Sequence, residues 1–173
     1  MLQGIGSMLI LAAGIGIGIF RARELHARPR QIYTLIQALS ALEAQIVYAE
    51  VPLSNGFRRC EAGCGDDEIG RLFFLLLQRL SEDRRCSAGE ALAEVRRQTE
   101  RDLALGQAEW SVLTFLCDNL GRADRREAEK QIQLSLRQLK TIAQSAAEEA
   151  DKKGKAAVYL GVCGALMAVV VCI

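Results

Sequence analysis

Neither end of this 173-residue chain carries a charged side chain: all 22 Lys and Arg and all 21 Asp and Glu lie between Arg21 and Lys155. A soluble protein has no reason to empty both termini of ions, whereas hydrocarbon rejects them. Other scarcities narrow the chemistry. Proline occurs twice, at Pro29 and Pro52, so most of the chain is free to be helical. Alternating β-branched stretches are almost missing, and no strands are expected. Histidine occurs once, as His26. Catalysis of the Ser-His-Asp or Cys-His kind therefore has no player except His26, which sits among arginines just past the first apolar run and reads as a headgroup-level residue. The net charge of +1 supplies no footprint for nucleic acid.

What remains is helix-forming. Ala, Leu, Glu, Arg and Gln dominate the charged middle. The uncharged run 1–20 would rise about 30 Å as a helix, the thickness of a hydrocarbon core. The run 156–173 is slightly shorter but within the spanning range. A signal peptide is the rival reading of the first run. It fits poorly, since no basic residue precedes the apolar stretch and no A-x-A-like site closes it. Gly14 and Gly18 are four apart, as are Ala157, Gly161 and Ala165, so each set lines one helix face with small residues that let helices approach in lipid. Read as G-x-G-x-x-G, the first set would suggest a phosphate loop, but no strand precedes it.

Arg21, Arg23, Arg28 and Arg30 follow the first run, and Lys152, Lys153 and Lys155 precede the second. The positive-inside rule then places the middle in the cytoplasm and both termini across the membrane. The resulting division is a first transmembrane helix over 1–21, a cytoplasmic helical bundle over 22–154 and a second transmembrane helix over 155–173.

Within the middle, Arg28-Pro29 starts a helix carrying Ile32, Leu35, Ile36, Leu39, Leu42, Ile46 and Val47 at three- and four-residue steps. A short helix is expected through Leu53, Phe57 and Cys60. Asp66 is placed to cap the next helix, with Ile69, Leu72, Phe73, Leu76, Leu77 and Leu80 along its apolar stripe. Ser87-Ala88-Gly89-Glu90 has the spacing of a capping box and predicts a helix with Leu92 and Val95 inward. Another helix carries Leu105, Trp110, Leu113, Leu116, Cys117 and Leu120 and closes on Gly121. Asp124 and Glu127 open the last element, where Ile132, Leu136, Leu139 and Ala143 continue the stripe. The polar stretch 144–155 reads as a solvated stalk, with Gly154 the expected bend. The fold class is thus all-α: an antiparallel bundle of about six helices flanked by two transmembrane helices, the last continuous with the bundle.

Few constellations could carry chemistry. Cys60 and Cys64 are one helical turn apart, but a zinc site wants two more ligands at comparable spacing, and Cys86 and Cys117 are isolated. The cysteines read as reduced, small apolar residues. Carboxylates read as solvated helix faces, with Glu43, between Leu42 and Ile46, the one near an inner face. The doublets Arg84-Arg85, Arg96-Arg97 and Arg125-Arg126 either meet an acidic partner or solvate helix ends, the latter being favoured. No metal or cofactor is expected, and the chain does not read as an enzyme.

Two blocks resemble the stage III sporulation protein AB family of endospore-forming bacteria. One is Arg28-Pro29-Arg30-Gln31 with Ala38-Leu39, Leu42-Glu43, Ile46, Tyr48 and Pro52-Leu53. The other is Leu120-Gly121, Asp124-Arg125, Lys130, Ile132 and Leu134, followed by Lys152, Lys155, Leu160 and Gly161. Gln45 stands where a carboxylate beside Glu43 is usual, Val51 where Thr is common, and 60–65 departs from the pattern. The resemblance implies a part of the envelope-spanning complex linking mother cell and forespore, with a soluble domain similar to the type II secretion inner-membrane platform protein. It implies a secretion-type ATPase and other membrane proteins of that complex as partners, with self-association open. Glu43, Tyr48, Asp124 and Arg125 are the candidate partner contacts. Two other classes stay in view: a self-associating membrane tether, and a membrane-bound thiol or metal enzyme built on Cys60 and Cys64. Replacing both cysteines by Ser separates the last, since an enzyme loses function and a platform does not.

The charge segregation makes one direct prediction. The full-length chain is expected to sediment with membranes and to need detergent for extraction; a monodisperse full-length chain in plain buffer would contradict it.

Overall fold

The computed structural model of the chain describes residues 16, 20, 25–45, 58, 63–64, 68–83, 86–120 and 125–172. Among the described residues the structure is all-helical, without strands. Five long helices occur: α1 over 25–45, α2 Glu68–Glu82, α3 Ala88–Thr99, α4 Gln107–Leu120 and α5 Arg125–Cys172. The expected short helix around Leu53 to Cys60 lies outside the described residues apart from Arg58. So do the proposed caps Asp66 and Gly121. Among the described residues no helix is long and apolar enough to cross a membrane. The run 1–20 is almost entirely outside them.

Two compact units emerge, one of Arg30–Gln144 and one combining Met1–Pro29 with Ser145–Ile173. In the first unit the apolar periodicity becomes the core. Ile32, Leu35, Ile36, Leu39 and Leu42 on α1 are buried, as are Ile69, Leu72, Phe73 and Leu76 on α2. Leu77 and Leu80 are only half-buried, because the α2 stripe turns outward in its last turn. Leu92 and Val95 point inward as expected, at 1% and 0% exposure. Helix α3 packs between α2 and α4. It passes α4 closely at buried Gly89, where a Cβ would overlap the Asp118 carboxylate.

Helix α3 begins as the sequence predicts. The Glu90 backbone N–H donates to Ser87 Oγ at 3.2 Å, and the Ser87 N–H donates to Glu90 Oε2 at 2.9 Å. Two donors with no intrahelical partner are thereby satisfied.

The loop 100–106 is ordered by backbone bonds. The N–H groups of Asp102 and Leu103 both donate to Thr99 O at 3.0 Å, and Trp110 N–H reaches back to Gly106 O. Leu105 therefore precedes α4 rather than lying within it, yet it and Leu103 are buried. Gln31, 5% exposed on α1, accepts the Ala104 N–H at 2.7 Å through Oε1. A loop amide that would otherwise cost about 1–3 kcal/mol on burial is paired by a side chain 73 residues away.

Helix α5 has 48 residues. Its buried positions Ala128, Ile132, Leu136, Leu139, Ala143, Ala146 and Ala150, with buried Gly154, recur at three- and four-residue steps. The stretch 144–155 is thus not solvated all round: Ala146, Ala150 and Gly154 are covered while Glu148, Glu149, Lys152 and Lys153 are exposed. The expected bend at Gly154 produces no interruption, and the helix continues through it.

Ser87→Ala should lower stability by about 1 kcal/mol, read as an earlier thermal transition in Trp110 fluorescence. The Ser87 backbone N–H, and then its hydroxyl, hold the Glu90 carboxyl below its ordinary value. This contribution is complete above the ordinary carboxylate range and is lost as pH falls through the lowered value. The stability gap between the native chain and Glu90→Gln should accordingly be open at neutral pH and close on acidification; a pH-independent gap would contradict the capping account.

Candidate functional site

The residues singled out as partner contacts do not form one described cluster. Glu43 is half-buried on α1. Tyr48 and Asp124 lie outside the described residues, as does the side chain of Arg125, whose backbone begins α5. Of the packing glycines and alanines, Ala157 and Gly161 are half-buried on α5. Gly14, Gly18 and the side chain of Ala165 are outside the described residues. Cys60 is likewise outside them, and Cys64 is half-buried.

The arginine doublets have unlike fates. Arg96 places its guanidinium 5.3 Å from the centre of the Trp110 ring, and Nη2 donates to Glu100 Oε1 and Gln107 Oε1, each at 2.9 Å. A planar, delocalised cation suits this combination of stacking and forked donation. Arg96 therefore fastens the end of α3 to the start of α4 across loop 100–106, neither solvating a helix end nor waiting for an acidic partner. Its neighbour Arg97 is exposed and reaches Glu94 at only 3.8 Å, a surface pair of little worth. Arg84 and Arg85 lie outside the described residues, and Arg126 is exposed.

Among the described residues, Gln31, Thr99, Glu109 and Ser135 are buried polar side chains that the apolar stripes do not include. Glu109 is 0% exposed in the first turn of α4, where the positive end of the helix dipole favours a carboxylate. It stands three, four and seven residues before the buried Val112, Leu113 and Leu116, so its place on the apolar face was readable. Gln31 stands likewise four and seven residues before Leu35 and Ala38. Of the two, Gln31 ties α1 to the loop before α4 through the Ala104 N–H.

Thiol chemistry finds no support at Cys117. Burial, reinforced by the Asp118 carboxylate beside it, pushes this thiol up to about 12. A thiol so placed stays protonated and is a poor nucleophile at neutral pH. Among the described residues no group of three or more His, Cys, Asp or Glu could hold a metal ion.

In the second unit, α1 and α5 meet through charged side chains. His26 Nε2 lies 3.1 Å from Asp151 Oδ1, and both side chains are more than half exposed. Next to them opens a cavity of about 370 Å³ lined by His26, Asp151, Gly154, Lys155, Val158 and Tyr159. Pro29, three residues after His26, is buried.

Comparison with known proteins adds what geometry leaves open. The family model for stage III sporulation protein AB matches residues 3–173. The chain belongs to the stage III sporulation protein AB family. It is 30% identical over 155 residues to stage III sporulation protein AB of Bacillus subtilis (strain 168), covering 90% of this chain and 89% of that protein. A solved structure of a stage III sporulation protein AB superposes with a TM-score of 0.65 at 29% identity, over 72% of this chain and 97% of the solved one. The resemblance read from Arg28 to Leu53 and from Leu120 to Gly161 is thereby confirmed, and the all-helical fold is that of the family.

At pH 8, Cys117 should resist a thiol-specific reagent in the folded chain and react at once in guanidinium, as peptide mapping would show. Labelling of Cys117 as fast as of the half-buried Cys86 would contradict its burial.

Proposed function

We propose that this chain is a non-enzymatic platform in the sporulation machinery that spans the envelope between mother cell and forespore. In this reading it lies in the mother-cell membrane around the forespore. It crosses that membrane twice, at 1–21 and 155–173. Its 22–154 domain, an antiparallel bundle of about six helices, faces the cytoplasm and docks a secretion-type ATPase. Both termini lie on the far side.

The observation that carries this reading is the confinement of every Asp, Glu, Lys and Arg to 21–155, in a chain of this sporulation family. The basic residues at both inner flanks supply the orientation. Helix α5 supports the platform idea further, because one element runs from the bundle through 155 and on to Cys172. A helix shared by domain and span is a route by which displacement at one end would reach the other. Large exposed apolar side chains on the bundle, Tyr33, Phe74, Phe115 and Leu134, are candidates for contacts with an ATPase or sister membrane proteins, beside Glu43, Tyr48, Asp124 and Arg125.

Two measurements test it. With the six native cysteines replaced, a cysteine near the N-terminus should react with a membrane-impermeant reagent added from the far side, and one at exposed Lys140 should be protected until the membrane is opened. The reverse pattern would invert the topology. Affinity capture from membranes of sporulating cells in mild detergent should recover a secretion-type ATPase or sister membrane proteins. Recovery of the chain alone would favour a self-associating tether instead.

A further inference from the structure

The cavity beside His26 lies at the one place along α5 where charge ends. Its lining residues Asp151, Lys155, Val158 and Tyr159 follow each other at four-, three- and one-residue steps, so they share one helix face. Lys155 is the last charged residue of the chain, and everything after it is uncharged. The lining residues therefore run along α5 from Asp151 and Lys155, beside His26, to Val158 and Tyr159. Gly154, buried between them, supplies no side chain to fill the space. A volume of about 370 Å³ holds a small group or one end of a lipid.

Electrostatics decides the sign of the guest. Asp151 and Lys155 are one turn apart and would ordinarily pair with each other. Here the Asp151 carboxylate is taken by His26 Nε2 at 3.1 Å, and among the described residues Lys155 has no ion-pair partner. The surrounding sequence strengthens this bias: segments 21–30 and 151–155 together hold seven Arg and Lys against two carboxylates, Glu24 and Asp151.

The geometry points to a site for the phosphate of an anionic phospholipid, held by Lys155, with the start of its acyl region along Val158 and Tyr159. Among membrane components, an anionic headgroup joined to hydrocarbon matches both the charge and the polar-to-apolar order of the lining. Tyrosine and lysine are the side chains suited to that depth, each having an apolar body and a polar tip. The inference rests on the membrane reading above and adds a lipid preference to it. His26 acts by occupying Asp151, which would otherwise repel the phosphate or neutralise Lys155.

The test uses the full-length chain in a neutral detergent, with phosphatidylglycerol and phosphatidylcholine as probes and retained lipid counted by native mass spectrometry. Phosphatidylglycerol should be retained in preference to phosphatidylcholine. Lys155→Gln should weaken its retention roughly five-fold, the worth of one basic residue near an anionic surface. Asp151→Asn should move it the other way, and Lys140→Gln, at an exposed position elsewhere on α5, should leave it unchanged. The Trp110 unfolding transition of each variant verifies that the bundle is intact. Equal retention by the native chain and Lys155→Gln, or equal losses for Lys140→Gln and Lys155→Gln, would overturn the site. Displacement of the lipid by millimolar glycerol phosphate would also overturn it, since the cavity would then serve free phosphate. A chain that joins lipid vesicles but shows no Lys155 effect refutes this inference alone; one that does not join vesicles refutes the membrane reading with it.

Discussion

The long helix α5 carries one buried face from Ala128 to Gly154, and that face must be covered. The face begins with Ala128 and Ile132, passes Leu136, Leu139 and Ala143, and continues through Ala146, Ala150 and Gly154. Its side chains change size on the way. In the Arg30–Gln144 unit they include Ile and Leu, which interdigitate with a conventional core; from Ala143 on they are Ala and Gly, which bring backbones close and leave little side-chain volume to bury. The Ala, Glu and Lys residues of 143–155 are strong helix formers, and burial of Ala146, Ala150 and Gly154 adds packing to that propensity. Where α1 approaches in the second unit, the His26–Asp151 bond and buried Pro29 accompany the small-residue face.

Much of this was legible from spacing. The apolar steps of α1 from Ile32 to Leu42, the capping box at Ser87 and the inward pair Leu92 and Val95 all follow from local rules, because period and cap chemistry need only neighbours in sequence. Leu105 was misplaced by two residues, since a buried loop leucine and a helical one have the same spacing to Trp110. The stalk reading of 144–155 failed for a clearer reason. The charges of Glu148, Glu149, Asp151, Lys152 and Lys153 surround the alanines, and alanine on a covered face has the same sequence signal as alanine on an exposed one. Polar residues that serve the interior were the hardest to see. Gln31 and Arg96 act across 73 and 11 residues, and only the folded chain brings their partners within reach.

The described side chains favour fastening over chemistry. Arg96 closes a loop over Trp110, Gln31 satisfies a loop amide, and the one strongly shifted thiol, Cys117, is shifted toward inertness. Membership of the stage III sporulation protein AB family sets the chain in sporulation. Within the proposed platform, α5 is the element common to the bundle and the uncharged segment, and its helix is unbroken at Gly154.

Hydrogen exchange over 143–157, measured on the full-length chain in a membrane mimetic, tests that continuity most directly. A packed, uninterrupted helix predicts slow amides throughout this stretch, with protection at Gly154 comparable to that at Leu139. Rapid exchange across 144–155, bounded by slow amides on its bundle side, would mean a solvated linker and would contradict the account.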